Sequence, residues 1–325
     1  MLYFCIMLQN NTSDKCLISF IVTFHNMTEE LVRECIDSIL NLSLRKEERE
    51  ILVVDDGSDK CLLDSLSDIA DNIIYIRKAS EGIASARNFG MRIATGKYIQ
   101  FVDGEDKLLS EAYEHCVDIA RYNSPDIVIF NTGSDGSGRN DYEGEEPTEG
   151  TEYLKRNNLT TSPWGYLFAE RLLAGLKFDT AIEGTEEEFT TLLFLCAEKI
   201  YSTSAEAYYD RKCEKRKIDR HDKKAVIRHL DDNEKIIARL QDLSATMPTN
   251  DRIALQRRIA QLTMNYILNT LLWTRSSKQL ESRITRLESC GLFPLPDKNY
   301  SKKYVLFNKL SRRRLIRKMI CKMLG

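Results

Sequence analysis

Two pairs of acidic residues stand directly after apolar segments that we predict to be strands. Asp55 and Asp56 follow residues 51–54, and Asp103 and Glu105 follow residues 98–102. The carboxyl ends of parallel strands meet at one edge of a sheet, where such sheets bind their ligands. Carboxylates at that edge suit Mg²⁺ or Mn²⁺, which take one or two of them and use substrate phosphate oxygens as further ligands. This chemistry favours a nucleoside diphosphate as partner, because its leaving charge needs neutralising.

A third acidic run comes later in the chain. Glu183 and the three residues Glu186, Glu187 and Glu188 precede the apolar residues 189–193. One of these carboxylates could be a general base that takes the proton of an acceptor hydroxyl. Alternatively, the run is the first turn of a helix, in which acidic side chains complement the helix dipole after an N-cap at position 185. Spacing alone favours the second interpretation.

The elements that must position these residues alternate between strand and helix. The apolar strand runs are nearly continuous, which is typical of a parallel sheet covered on both faces. Asp-Gly pairs also occur in ordinary turns, but two acidic clusters at one sheet edge favour a functional site. Strands are predicted at residues 16–24, 51–54, 73–76, 98–102 and 127–130, with helices at 82–95 and 110–121 and another after Thr28.

The character of the sequence changes beyond residue 218. Segments 222–245, 251–274 and 276–290 are charged, poor in strand formers and favourable to helix. We therefore predict an α/β domain at residues 14–217 and a helical extension at residues 218–325.

Charge and cysteine content exclude several classes of protein. The 325 residues carry a net charge of −2, but residues 298–325 hold ten Lys/Arg and no acid, which leaves −12 on the remainder. An acidic body does not fit nucleic acid as a partner. The nine cysteines form no C-x-x-C pair, so neither a zinc site nor a redox motif is indicated. Reduced thiols favour a cytoplasmic protein.

The basic carboxyl-terminal segment has the periodicity of an amphipathic helix from residue 311 onward. Such a helix is typical of attachment to an anionic membrane surface, which would place the protein at the inner face of the cell membrane. The alternative is a helix that packs on the body with its basic side in solvent. The apolar face would comprise Leu315, Ile316, Met319, Ile320 and Met323, opposite Arg314, Arg317, Lys318 and Lys322.

Five segments, taken together and in order, resemble the family 2 glycosyltransferases, which have the nucleotide-sugar-binding GT-A fold. The resemblance covers about residues 17–211 and is greatest to bacterial members that build surface polysaccharides. The segments are ISFIVTFHN at 18–26, ILVVDDGSD at 51–59, EGIASARNFGMRIATGKYIQFVDGED at 81–106, SPWGYLF at 162–168 and EGTEEEFTTLL at 183–193.

The resemblance implies a donor site made of several of these segments. Asp103-Gly104-Glu105 would be the D-x-D motif, whose last member contacts Mn²⁺ or Mg²⁺. Arg87 and Asn88 would lie near the nucleotide and brace the Asp103 loop. The remaining donor residues implied are Thr23 and His25 in the nucleotide pocket, Asp56 and Asp55 at the base or ribose, Trp164 at the sugar or acceptor, and Arg211 at the diphosphate.

The resemblance also implies a catalytic base and a reaction. Glu186 lies where the family carries the Asp of its Glu-Asp pair, and it would deprotonate the acceptor hydroxyl. The implied reaction is inverting and metal-dependent, moving a sugar from a nucleotide sugar, most simply a UDP-sugar, to a hydroxyl of a glycan or lipid-linked acceptor. Two departures stand out, because Glu105 replaces Asp, and Thr185 with Glu186 replaces Glu-Asp.

Two other functions remain open from the sequence. The altered carboxylate motifs allow a catalytically inactive module that binds a nucleotide sugar or a partner without turnover. A sugar-1-phosphate nucleotidyltransferase would need a Gly-rich, basic loop after the first strand, and residues 24–27 contain neither Gly nor Lys. Donor hydrolysis with added Mn²⁺ separates the inactive module from the enzyme.

Overall fold

The computed structural model describes residues 16–133, 146–159, 161–211 and 222–324. Both limits of the predicted α/β domain, at residues 14 and 217, lie outside these described residues. The boundary with the helical extension therefore stays a prediction.

The described residues contain one sheet of eight strands. The strands are Ile18–Phe24 (β1), Arg49–Asp55 (β2), Ile74–Arg77 (β3), Tyr98–Asp103 (β4), Lys107–Leu108 (β5), Ile127–Gly133 (β6), Tyr166–Ala169 (β7) and Ile200–Tyr209 (β8). Their order is β3-β2-β1-β4-β7-β6-β8-β5. The first four neighbours are parallel, whereas β7 runs antiparallel between β4 and β6. The predicted mainly parallel α/β sheet is confirmed.

Three strands were absent from the sequence prediction. Strands β5 and β7 have only two and four residues, which is too short for a periodic signal. Strand β8 alternates less buried and buried positions over Ser202–Ala207, but Ser202, Thr203 and Ser204 are all polar, and its pairing with β6 contains a register shift. Its partner strands, and not its composition, hold it in the sheet.

Helices cover both faces of the sheet. The central strand β1 sends Phe20 and Val22 into one core and Ile21 into the other, because successive side chains of a strand point to opposite faces. The first core is closed by α1 (Glu29–Leu40) and α3 (Ser110–Asn123), and the second by α2 (Ile83–Ile93), α4 (Gly150–Arg156) and α5 (Glu186–Leu195).

The helical extension has a core of its own. Its helices are α6 (Lys223–Thr246), α7 (Thr249–Thr274), α8 (Ser277–Ser289), α9 (Lys302–Ser311) and α10 (Arg314–Leu324). Apolar side chains of α6 to α10 pack together, and Leu192 and Leu195 of α5 join them. The extension is thereby fastened to the helix that carries the third acidic run. None of the described helices is both long and apolar enough to cross a bilayer.

The tail helix α10 divides its predicted apolar face between core and solvent. Ile320 packs against the core of the extension, whereas Leu315, Met319 and Met323 are 81%, 57% and 79% exposed. The placement predicted for Arg317 is wrong. Its guanidinium is buried and pairs with Glu281 at 2.7 Å, because the helix turns this side toward α8.

Gly90 lets α2 lie directly on β1. A Cβ atom at this position would be 2.4 Å from Cγ2 of Ile21, whose side chain is buried in the sheet's second core. Carbon atoms that are not bonded to each other do not approach this closely. The close approach matters for function, because α2 carries Arg87.

We therefore predict that Gly90→Ala destabilises the protein by about 1–3 kcal/mol, the usual range for an overpacked core. The free energy of unfolding is to be measured by urea denaturation. Gly165→Ala is the matched control, since its added Cβ would meet nothing within 4 Å. Equal stabilities of the two variants would contradict the assigned packing of α2 on β1.

Candidate functional site

One buried arginine joins the motifs that lie far apart in the sequence. Arg87 of α2 donates from Nη2 to Oδ1 of Asp103 at 3.0 Å and from Nη1 to Oε1 of Glu186 at 3.0 Å. Only 3% of Arg87 is exposed, and its guanidinium lies against the rings of Phe101 and Phe178. The guanidinium thus holds a carboxylate from the end of β4 beside one from the start of α5.

The loop after β4 is fastened to β8 through one tyrosine. The Tyr208 hydroxyl accepts the backbone N–H of Asp103 at 3.1 Å and donates to Oδ2 of Asp106 at 2.9 Å. Burial raises the pKa of Tyr208 well above its usual value, so the hydroxyl stays protonated. Asp106 also accepts the backbone N–H of Arg211 at 2.9 Å. This carboxylate is therefore structural, and Asp103 and Glu105 are left as the pair that could serve a ligand.

Asp103 and Glu105 are suited to a metal ion that a substrate helps to hold. Both side chains are buried except for a few per cent of their surface. Within the described ranges, no group of three or more His, Cys, Asp or Glu side chains could hold a metal by itself. Mg²⁺ and Mn²⁺ commonly use only one or two carboxylates and complete their coordination with phosphate oxygens and water. The donor set therefore fits a metal–diphosphate complex better than a resident ion.

Asp56 organises the segment that leads into α2. Its carboxylate accepts from the backbone N–H groups of Glu81 and Gly82 and from Nζ of Lys78, at 2.8–3.2 Å. Nδ1 of the exposed His25 lies 2.9 Å from the carbonyl oxygen of Asp56. The predicted nucleotide residues His25 and Asp56 are thus neighbours, next to the turn that opens the arginine-bearing helix.

The structure contradicts the prediction for Asp55. This residue is fully buried, and its carboxylate accepts from the backbone N–H of Ser58 at 2.8 Å and from the Tyr75 hydroxyl at 2.9 Å. Arg77 adds an ion pair at 3.5 Å. A carboxylate with no accessible surface cannot contact a base or ribose, so Asp55 holds the turn after β2 together.

The bracing role predicted for Asn88 is also wrong. Its carboxamide donates to the carbonyl of Phe178 at 2.8 Å and accepts the Phe178 N–H at 2.9 Å. It supports the segment before α5, and Arg87 alone of the two reaches the Asp103 side chain. Successive residues of a helix point about 100° apart, so both could not serve the same loop.

Thr23 and Arg211 contact the Asp103–Glu105 loop through its backbone. The carbonyl of Thr23 accepts the Gly104 N–H at 2.9 Å. Nε of Arg211 donates to the carbonyl of Glu105 at 2.8 Å, and its Nη2 donates to Glu34 at 2.6 Å. Both predicted residues lie beside the loop, and the guanidinium of Arg211 is engaged by it.

Residues of the helical extension pair with several members of the acidic run at α5. Glu187 pairs with the buried Arg258 of α7, and Glu188 pairs with Arg239 of α6 at 3.2 Å. The backbone N–H of Glu183 donates to Asp232 of α6 at 3.0 Å. Thr185 is the N-cap residue as predicted, but its hydroxyl accepts the backbone N–H of Asp179 and does not cap the helix. Glu186 is thus the member of the run that pairs with Arg87.

Arg87, Asp103, Glu186 and Glu187 line a cavity of about 660 Å³ between the α/β domain and the extension, whereas Glu105 is not among its lining residues. Volumes of this size accommodate small-molecule ligands. Trp164 forms part of its wall and stacks on Tyr208, with ring centroids 4.7 Å apart. Of the predicted site residues, the cavity brings together Arg87, Asp103, Trp164 and Glu186.

The extension's share of this cavity was not anticipated from the sequence. The polar lining residues of the extension that the sequence did not predict are His229, Asn233, Asn265, Asn269 and Lys303. The i, i+4 spacing of the two asparagines on α7 was the available signal, because residues at this spacing share a helix face.

Comparisons with known proteins show the family of the α/β domain. Residues 19–179 match the model of glycosyl transferase family 2. A poly(ribitol-phosphate) beta-glucosyltransferase of Bacillus spizizenii is 32% identical over 201 residues, covering 59% of this chain and 32% of the relative. The uncharacterized glycosyltransferase EpsJ of Bacillus subtilis is 33% identical over 201 residues, covering 57% and 58%. The chain thus spans about one third to three fifths of the length of these relatives.

A solved structure shows the same fold over nearly the whole chain. Residues 1–349 of S. aureus TarS, in complex with UDP-GlcNAc, superpose with a TM-score of 0.61 at 17% identity. The alignment covers 94% of this chain and 92% of that one, so it includes the helical extension. Sheet order, acidic loop and sequence match agree: this chain carries a glycosyltransferase family 2 domain.

Proposed function

We propose that the chain is an inverting, metal-dependent glycosyltransferase of surface-polysaccharide synthesis. Its donor is a nucleotide sugar, with UDP as the nucleotide, and its acceptor is a hydroxyl of a glycan or lipid-linked glycan. The observation that carries the proposal is the pairing of Asp103 and Glu186 through Arg87 at the wall of one cavity. The names of the related proteins and the UDP-GlcNAc complex of TarS support the donor and acceptor classes.

Different side chains of the chain would serve the metal, the proton transfer and the binding of the sugar. A divalent ion held by Asp103 and Glu105 would neutralise charge on the departing diphosphate. Glu186 accepts the proton of the acceptor hydroxyl as that oxygen bonds to the anomeric carbon and the bond to the diphosphate breaks. Attack from the face opposite the leaving group inverts the configuration in one displacement. Trp164 forms a flat apolar wall against which a sugar ring packs.

Glu186 suits the role of base better than its neighbours do. Glu187 also lines the cavity and has 31% of its side chain exposed, but it pairs with the buried Arg258 of the extension, and Glu188 pairs with Arg239. Glu186 has 27% of its side chain exposed and pairs with a guanidinium that it shares with Asp103. Its carboxylate is therefore held in place and still open to the cavity.

Glu186→Gln is expected to lower kcat by about 10²-fold or more, the usual scale for a positioned base. Glutamine keeps the shape and the hydrogen bond but cannot take the proton. The measurement is single-turnover sugar transfer, with the Kd of UDP staying within error of wild type.

Glu187→Gln is the matched control, one residue along the same helix. It weakens the pair with buried Arg258, so it should cost about 1.5–3 kcal/mol of unfolding free energy while kcat is retained at a temperature where the variant is folded. If Glu187→Gln loses transfer and Glu186→Gln keeps it, the base is Glu187. If neither variant nor wild type hydrolyses or transfers any donor that binds, the domain is an inactive binding module.

UDP binding should require a divalent metal, because Asp103 and Glu105 offer charge but no cation for a diphosphate. Calorimetry with Mn²⁺ and with EDTA measures the metal-dependent part of the affinity, and Glu105→Ala should abolish that part. Glu47→Ala, an exposed acid that precedes β2 and so lies at the opposite edge of the sheet, should keep it. Equal UDP affinity with EDTA and with Mn²⁺ would exclude this metal site.

The exposed row on α10 supports attachment to an anionic membrane surface. Leu315, Met319 and Met323 recur every four residues and are exposed, so they share one helix face. The preceding residue in each case, such as Lys318, is basic and exposed. Apolar side chains inserted beside lysines and arginines suit a headgroup region with anionic lipids.

Leu315→Ser/Met319→Ser/Met323→Ser should release the protein from vesicles that contain phosphatidylserine, measured by co-sedimentation at low salt. Substituting the exposed row avoids the buried Arg317 and Cys321 that deletion of the helix would remove. The control Leu63→Ser/Tyr122→Ser/Ile253→Ser changes three exposed apolar residues elsewhere and should keep binding. A wild-type protein that ignores these vesicles would show that α10 is only a packed helix.

A further inference from the structure

The wall of the cavity that faces the acidic residues is built by the extension. It carries His229 and Asn233 from α6, Asn265 and Asn269 from α7, and Lys303 from α9. The same wall also presents apolar side chains to the cavity, because Ile236, Ile237, Leu262 and Tyr266 line it and belong to the core of the extension. Polar side chains gathered around a cavity are available to a ligand.

The three asparagines retain their hydrogen-bonding capacity. No residue in the described part of the chain accepts from or donates to the carboxamides of Asn233, Asn265 and Asn269. Each carboxamide offers two donors and one acceptor. Three such groups on two packed helices complement the hydroxyls of a polyol or sugar chain, which both donate and accept.

The charges of the two walls are opposite. On the α/β side lie Asp103, Glu186 and Glu187, and Arg87 is already paired with two carboxylates. On the extension side lies Lys303, which has no acidic partner among the described residues. An ammonium without a partner at the rim favours a ligand that carries an anionic group.

The wall is held rigidly against the proposed base. Asp232, next to Asn233 on α6, accepts the backbone N–H of Glu183 at 3.0 Å. Arg258 of α7 pairs with Glu187. Both contacts join the extension to the segment that starts α5. A hydroxyl bound at the asparagines would therefore be held on the same connected structure as Glu186.

We infer that the extension wall is the acceptor subsite, and that it takes a polyhydroxylated chain carrying phosphate or carboxylate groups. The asparagines bind the hydroxyls and Lys303 binds the anionic group. The inference rests on the proposed function, since it names the acceptor of that same site. It also assigns specificity to residues outside the part of the chain that matches the family model.

Calorimetric titration of the full chain tests the subsite. The ligands are three oligomers of similar length, built from ribitol phosphate, from galacturonate, and from the neutral sugar of maltose. Wild type should bind at least one anionic oligomer about tenfold more tightly than the neutral one, the scale of one charge-assisted hydrogen bond. Binding of ribitol phosphate alone identifies phosphate as the anionic group, and binding of galacturonate alone identifies carboxylate.

Lys303→Gln should remove this tenfold preference, whereas Lys309→Gln, which is exposed on the same helix but outside the cavity, should keep it. Asn265→Ala/Asn269→Ala should weaken the anionic oligomer about tenfold or more, while Gln256→Ala, an exposed carboxamide of α7 outside the cavity, should not.

UDP titration with Mn²⁺ separates the two proposals. Unchanged UDP affinity in every variant, with lost oligomer binding, supports an acceptor subsite. If UDP binds but no oligomer does, or if Lys303→Gln changes nothing, the acceptor inference is overturned while the donor site stands. If oligomers bind but UDP and the other nucleoside diphosphates do not, the proposed glycosyl transfer is overturned.

Discussion

The site depends on one guanidinium. Arg87 is buried, and it holds Asp103 from β4 and Glu186 from α5 by hydrogen bonds of 3.0 Å each. Two carboxylates near a cavity repel each other, and a cation between them removes that repulsion and sets their separation. The position of Arg87 depends in turn on Gly90, one turn later in α2, which lets the helix contact β1. The backbone packing of the sheet therefore determines the geometry of the carboxylates.

The helical extension completes the site in two ways. Its cations Arg239 and Arg258 neutralise two of the three glutamates that begin α5, which leaves Glu186 beside Arg87. Its asparagines and Lys303 supply the second wall of the cavity. A buried arginine such as Arg258 is costly unless it is paired, and burial lowers the pKa of its guanidinium. The pair with Glu187 offsets that cost and joins the two parts of the chain.

The tail shows why an amphipathic pattern does not identify its own partner. Ile320 and Cys321 pack against the extension, while Leu315, Met319 and Met323 remain exposed. One side of the helix packs on the body and the adjacent side is exposed, and attachment to a membrane stays a prediction. Exposure, which is a property of the tertiary structure, divides a face that is uniform in the sequence.

Five of the eight strands and the acidic residues at their ends could be predicted from the sequence. Short apolar runs of β-branched residues bounded by turn residues indicate buried strands, and the acidic pairs that follow them lie at one edge because parallel strands end together. The motif around Arg87 and Gly90 and the start of α5 at Glu186 were likewise readable from sequence. Short strands such as β7 were not, because four residues carry no period.

The tertiary structure decided which of several similar side chains could act. Asp55 and Asp56 are adjacent and identical in type, yet Asp55 is fully buried and bonded to Ser58 and Tyr75, whereas Asp56 keeps 4% of its surface exposed and binds the segment before α2. Glu186 differs from Glu187 only by about 100° around a helix, and its partner lies 99 residues away. The wall that the extension contributes to the cavity comes from helices for which the sequence predicted no site residue. Such distinctions depend on contacts between distant segments, and local sequence patterns do not encode them.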